Sequence, residues 1–169
     1  GPKNHPPSTP SAARQRPRGR LPDAVEPLAY DLELRIDPSR PRFAGTARID
    51  VRLQSSQEVI WLHGRDLNVS SVTVTVSDAR QRAEYEQVTD SGLAKVRLAE
   101  PIGPGEATLA FRYDAPFNER LTGLYKVTEA EQAYAFTQFQ PISARRCFPS
   151  FDEPRFKVPF ELAVQAPSG

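Results

Sequence analysis

The chain has 169 residues, 25% of them charged and 38% apolar, with a formal net charge of +1. That length suits one domain, or one domain with a tail, and the near-neutral balance gives no reason to expect nucleic acid or an anionic membrane as a partner. No apolar run approaches the roughly 18–20 residues that a membrane-spanning helix requires, so no transmembrane segment is expected. The single cysteine, Cys147, excludes an intrachain disulfide and any zinc site built on several thiolates. Histidine occurs only at His5 and His63. A hydrolytic zinc site spends about two or three imidazoles on the metal, so no metal site and no catalytic residue are expected within this chain.

Methionine is absent, position 1 included, which reads as a processed or excised product. Gly1-Pro2 has the look of a protease scar and is set aside from fold reasoning. Residues 1–20 hold five prolines, one lysine and four arginines, with no acid and no large apolar side chain before Leu21. Such a stretch cannot bury enough surface to offset its ordering entropy. It is expected to be a disordered Pro/Arg-rich tail or linker, of the kind that would suit an exported, tethered protein. The folded domain is expected over 21–169.

From Leu28 onward the period is two. Tyr30, Leu32, Leu34 and Ile36 alternate with Asp31, Glu33 and Arg35, the pattern of a half-buried strand. After the turn cluster Asp37–Pro41, Ala47, Ile49, Val51 and Leu53 alternate with Arg48, Asp50 and Arg52, which predicts a hairpin partner. Val59-Ile60-Trp61-Leu62 is apolar on both faces, as for a strand covered on both sides. Val72, Val74 and Val76 alternate with threonines, where β-branching favours a strand. Shorter alternations fall around Ala94–Leu98 and Thr108–Tyr113, separated by the Pro101–Gly105 turn. Further strands are predicted at Gly123–Val127, Tyr134–Gln138 and Phe160–Val164. No stripe of helical period runs past about two turns. Eight or nine such strands predict an all-β domain, either a sandwich or a large twisted sheet with smaller sheets folded against it.

One stretch is not generic. Thr137-Gln138-Phe139-Gln140, then Ala144-Arg145, then Phe148-Pro149-Ser150-Phe151-Asp152-Glu153-Pro154-Arg155-Phe156-Lys157 closely resembles the signature of the N-terminal domain of aminopeptidase N-type zinc metallopeptidases. These are the gluzincins, a family that includes leukotriene hydrolase. Leu21-Pro22, Tyr30-Asp31, Phe43 and Gly45, Leu62-His63 and Gly123-Leu124-Tyr125 agree with the same pattern, so the resemblance spans about residues 21–169. It implies a saddle-shaped β domain that packs on a thermolysin-like catalytic domain of the same polypeptide. In the family, that second domain carries the zinc motif H-E-x-x-H and a G-x-M-x-N loop, neither of which occurs here. The resemblance therefore implies zinc in the full-length parent, and an isolated chain that binds none and is inactive.

Gln138 and Gln140 are two apart on a predicted strand and so share a face. The resemblance implies that Gln138 lines the pocket for the substrate's first side chain and that Gln140 helps hold the free α-ammonium of a peptide N-terminus. Gln140 departs from the commoner Glu: its carbonyl accepts a hydrogen bond but brings no charge. Asp152 and Glu153, being adjacent, face apart in regular structure, and they read as a turn cap paired with a cation such as Arg145, Arg146 or Lys157. His63 and Cys147 read as structural. Ser150 stands where the family usually has Cys. An exposed, partly apolar face is expected over Thr137–Phe156, where the catalytic domain would dock. The alternative is a free-standing β-sandwich binding module for carbohydrate or protein, which would need an aromatic platform on its surface.

Overall fold

A computed structural model describes residues 17, 20–117, 145–153, 155, 156 and 158–165. Their eight strands are β1 (Val25–Arg35), β2 (Arg42–Leu53), β3 (Gln57–His63), β4 (Asn68–Val76), β5 (Ala79–Gln87), β6 (Leu93–Ile102), β7 (Gly105–Pro116) and β8 (Phe160–Gln165). All belong to one open sheet in the order β3-β6-β5-β4-β7-β2-β1-β8. The all-β class expected from the period-two alternation is what the structure shows. The predicted segments Gly123–Val127 and Tyr134–Gln138 lie outside the described residues.

The longest ladder of the sheet is the β2/β7 pair, antiparallel in unbroken register from Arg42↔Pro116 to Leu53↔Gly105. β1 forms the expected hairpin with β2. β8 returns from far along the chain to lie parallel to β1, with Leu32 opposite Leu162. Because side chains alternate, a single buried face follows: Leu32 and Leu34 of β1, Ala47, Ile49 and Val51 of β2, Val72 and Val74 of β4, and Leu109, Phe111 and Tyr113 of β7. The opposite face carries charges set across from one another, such as Arg42 with Asp114 at 3.1 Å and Arg52 with Glu106 at 3.4 Å. Exposed pairs of this kind hold register and solubility more than stability.

Strand β5 shows no apolar alternation, and sequence periodicity gives no sign of it. Its inward positions are Gln81, Ala83, Tyr85 and Gln87, while Arg80, Arg82, Glu84 and Glu86 are exposed. Backbone pairing with β4 and β6 on its two sides holds it in place. At the β6–β7 turn, Gly103 has φ of 94° and Gly105 of 129°, conformations open to glycine and strained for other residues.

The sheet must curl. His63, on edge strand β3, exchanges two backbone hydrogen bonds with Ser150, at 2.7 and 2.9 Å. The next residue, Phe151, donates its N–H to the hydroxyl of Tyr30 on β1, at 2.9 Å. β3 is one edge of the sheet and β1 is next to the strand at the other edge, so consecutive residues reach opposite sides of the sheet. This explains why β3, an edge strand, has Ile60, Trp61, Leu62 and His63 all buried. The expected cover on both faces comes from the segment beginning at Arg145, not from a central place in the sheet.

Gly45 makes room for this closure. A Cβ placed there would stand 2.7 Å from the hydroxyl of Tyr113, and that hydroxyl donates to the carbonyl of Cys147 at 2.6 Å. Gly45→Ala is expected to push the phenol off its acceptor and to cost about 1–3 kcal/mol through overpacking. Tyr113→Phe should cost about 1 kcal/mol through the lost hydrogen bond alone. If the two effects share this origin, the double variant will be less destabilised than the sum of the singles, which urea unfolding followed by Trp61 fluorescence can measure.

Candidate functional site

The candidate site is the clasp formed by Arg145–Phe156 and the cleft beside it. Cys147, Phe148 and Phe151 are buried, because their side chains fill the inside of the curled sheet. Phe148 meets Tyr30 edge-on at 5.6 Å between ring centres. Phe151 meets Phe156 in the same way at 6.2 Å. Pro149 interrupts the segment and keeps it from extending as a regular strand. Its polar groups are left to pair individually.

They do so in two ion pairs. The Arg145 guanidinium donates from Nε to Asp152 Oδ2 at 2.8 Å, from Nη2 to the Asp152 carbonyl at 3.3 Å and from Nη1 to the Ser91 carbonyl at 3.1 Å. Arg155 donates from Nε to Glu153 Oε1 at 2.8 Å, from Nη2 to the Leu21 carbonyl at 2.8 Å, and from Nη1 to Asp23. The second carboxylate oxygen of Glu153 takes the Leu21 amide. Asp152 and Glu153 are thus turn-forming partners of cations, as their adjacency predicts. Arg145 is one of the expected partners, and Arg155 takes the place of Arg146 or Lys157. The Asp152 side chain is only 1% exposed. Burial raises its carboxyl above the usual range, against the pull of Arg145.

His63 completes the clasp. Its Nδ1 accepts the Asp152 N–H at 3.1 Å, so the ring is neutral and its proton sits on Nε2. Burial, with the Arg145 charge adding to it, lowers the imidazole to about 4. The cleft alongside has a volume of about 640 Å³ and is lined by His63, Ser91, Arg145, Asp152, Glu153 and Arg155, among others.

Chemically this arrangement holds rather than reacts. Both guanidiniums are spent on carboxylates and carbonyls, and the one ring nitrogen able to act as a base is spent on an amide. Ser150 is buried, and its Oγ has no hydrogen-bond partner among the described residues, so no base activates it. The donor set does not suit zinc either. Among the described residues no three His, Cys, Asp or Glu side chains converge to hold a metal ion. Gln138 and Gln140 lie outside the described residues. The expected apolar docking face is not found on the described part of Thr137–Phe156. There the aromatic residues point into the domain, and Arg146 and Arg155 are the residues classed as exposed. The aromatic platform of a binding module is not formed by the described residues, for Trp61 is 5% exposed. Sequence reasoning did not foresee Tyr30 and Tyr113 as hydroxyl partners of the clasp. Their inward register gives their side, but nothing local names a partner more than thirty residues away.

Residues 26–169 match the Peptidase M1 N-terminal domain family, and the chain belongs to that family. It is 32% identical over 167 residues to Aminopeptidase M1-A of Oryza sativa subsp. japonica, a match covering 94% of this chain and 19% of that protein. It is 27% identical over 156 residues to glutamyl aminopeptidase of Bos taurus, covering 86% and 16% respectively. An M1 zinc metallopeptidase from Deinococcus radiodurans superposes with a TM-score of 0.64 at 20% identity, over 88% of this chain and 34% of that one. That likeness is one of fold. The chain spans about a fifth of the length of these curated relatives.

Removing Arg145 would strand a buried carboxylate. Arg145→Ala is expected to cost about 3 kcal/mol, and adding Asp152→Asn should recover much of it, because a neutral amide no longer needs the cation. At Ser150, Ala or Cys removes an unpartnered hydroxyl, so both are expected to be neutral or stabilising by up to about 1 kcal/mol. Thermal unfolding of the four variants checks both expectations. A large loss on Ser150→Ala would show that the hydroxyl is bonded.

Proposed function

We propose that this chain is the N-terminal domain of a zinc aminopeptidase and forms one wall of its active site. A thermolysin-like catalytic domain of the same polypeptide hydrolyses the first peptide bond, and the zinc belongs to that domain. Gln138 and Gln140 face the N-terminus of the peptide. The observation that carries this reading is the family match over residues 26–169, joined to relatives that are aminopeptidases and of which this chain spans a small N-terminal-domain share.

The chemistry assigned to Gln140 is modest and specific. An ammonium has three donors and asks for several acceptors. The Gln140 carbonyl offers one without charge, and charge-assisted bonds are about twice as strong as neutral ones. In this protein, ammonium anchoring therefore falls more heavily on carboxylates outside the chain. Gln138, two residues earlier in the sequence, meets the first side chain and contributes to residue preference.

In the complete enzyme, Gln140→Ala removes one bond to a cation, about 1.5–3 kcal/mol at most. Substrate and transition state both carry the ammonium, so most of the loss should appear as a raised KM with a smaller fall in kcat. Gln140→Glu should lower KM for substrates with a free amine. Binding of an N-acetylated analogue is expected to be indifferent to both changes, and equal effects on free-amine and acetylated ligands would take Gln140 out of the site. The 169-residue chain alone is expected to leave aminoacyl reporter substrates intact and to hold no stoichiometric zinc after dialysis. One zinc per chain by metal analysis would contradict that.

A further inference from the structure

His63 sits where one proton can decide whether the clasp stays on the sheet. Three hydrogen bonds join this residue to the segment: its N–H to the Ser150 carbonyl, its carbonyl to the Ser150 N–H, and its Nδ1 to the Asp152 N–H. The third requires a bare Nδ1. A protonated ring turns that acceptor into a donor aimed at a buried N–H, which then has no acceptor, at 3.1 Å.

The surroundings decide whether a positive ring could be tolerated. Arg145 and Asp152 face the imidazole from the clasp, with Glu153, Arg155 and Arg20 further round the same cleft. The β5–β6 turn presents Thr89 and Ser91, both uncharged, and Asp90 there is exposed. Arg65, two residues beyond His63, is tied to the clasp by its N–H to the Arg145 carbonyl at 2.7 Å. Each carboxylate in this ring already has a guanidinium on it. Among the described residues lining the cleft, no unpaired carboxylate is left to welcome a second cation, except through the buried and unpartnered Oδ1 of Asp152 itself.

We propose that His63 is an acid-sensitive pin: a proton on Nδ1 frees Ser150–Glu153 from the edge of the sheet while the central strands stay paired. The division follows from how the two parts are held. Pairs β2/β7 and β1/β2 keep their own ladders and buried face, whereas residues 150–153 have no ladder beyond the one bridge to His63 and are held by scattered side-chain partners. Local openings draw on regions of the second kind. The folded imidazole titrates near 4 and an unfolded one near 6.5, so opening is favoured progressively as pH falls through that window. On its own, His63 would favour opening about 50-fold between pH 7 and 4.5. Asp152 acts with the opposite sign. Its carboxyl is raised when folded, so acid strengthens the closed state through it and offsets part of the His63 effect.

The test is amide exchange in the 169-residue chain by two-dimensional NMR between pH 7.5 and 4, corrected for intrinsic exchange rates. His63→Asn offers an uncharged acceptor near the place of Nδ1, and His63→Leu removes the acceptor. In the wild type, protection of the Asp152 amide is expected to fall at least tenfold on acidification, while Val51 and Leu109 amides keep theirs. With His63→Asn it should hold or rise, and with His63→Leu it should be low throughout. The proposal is overturned if His63→Asn follows the wild-type profile, or if Val51 and Leu109 lose protection in step with Asp152. Nitrogen shifts of the wild-type imidazole give an answer that no variant can spoil: a protonated Nδ1 at pH 7 overturns it too.

Discussion

An eight-stranded sheet with one apolar face has to cover that face, and the described residues contain no helix to do so. Curling brings the strands of one half over those of the other, and the clasp at Arg145–Phe156 fills what the curl leaves open. Phe148 and Phe151 supply the apolar bulk. Ser150 and Phe151, adjacent in sequence, bond to the edge strand β3 and to β1, the last strand but one on the far side of the sheet. Much else depends on that closure. β3 becomes an edge buried from Ile60 to His63, and the stretch at Leu21 is bound through Glu153 and Arg155. Gly45 has to lack a side chain so that Tyr113 can reach Cys147.

Buried charge in such a place is costly, and the arrangement of the two ion pairs shows what offsets the cost. Desolvating Asp152 works against folding, and an apolar pair of equal volume could well be as stable. What an apolar pair could not do is bind main-chain carbonyls. Arg145 spans Asp152 and the Ser91 carbonyl of the β5–β6 turn, and Arg155 spans Glu153, Asp23 and the Leu21 carbonyl. Each guanidinium makes three hydrogen bonds and ties the clasp to one other piece of chain, which its planar fork of donors suits better than an ammonium would. The gain is a defined register for an irregular segment that has no ladder of its own.

Much of the fold was legible because one face of the sheet is dry and the other wet. β1, β2, β4 and β7 alternate visibly for that reason. β5 was illegible because it contributes little apolar surface, Ala83 and Tyr85 on the inward side, and is held by hydrogen bonds that leave no mark on side-chain pattern. The parallel return of β8 beside β1 was equally hidden, since period two gives a strand and not its neighbour. At the site, the pairing of Asp152 and Glu153 with arginines could be read from adjacency and charge. Whether the aromatic run from Phe148 to Phe156 faces outward or inward could not be read, because such a run suits an interface as well as an interior, and over the described residues the curl of the sheet, a long-range property, turns it inward.

That decision bears on what the motif means. The stretch from Thr137 to Lys157 divides at Arg145. On the C-terminal side, Cys147 to Glu153 is architecture: aromatic filling, paired charges and a histidine contact, all facing inward. The residues proposed to meet substrate, Gln138 and Gln140, stand on the N-terminal side, within seven residues of Arg145. Arg145 itself is held by its backbone as well as its side chain, through Arg65 N–H and Ser91 O. A segment that leads into a fixed anchor has less conformational freedom to lose when it meets a ligand. Under the proposed function, the contribution of Arg145 to binding is to fix the C-terminal end of the segment that carries Gln138 and Gln140.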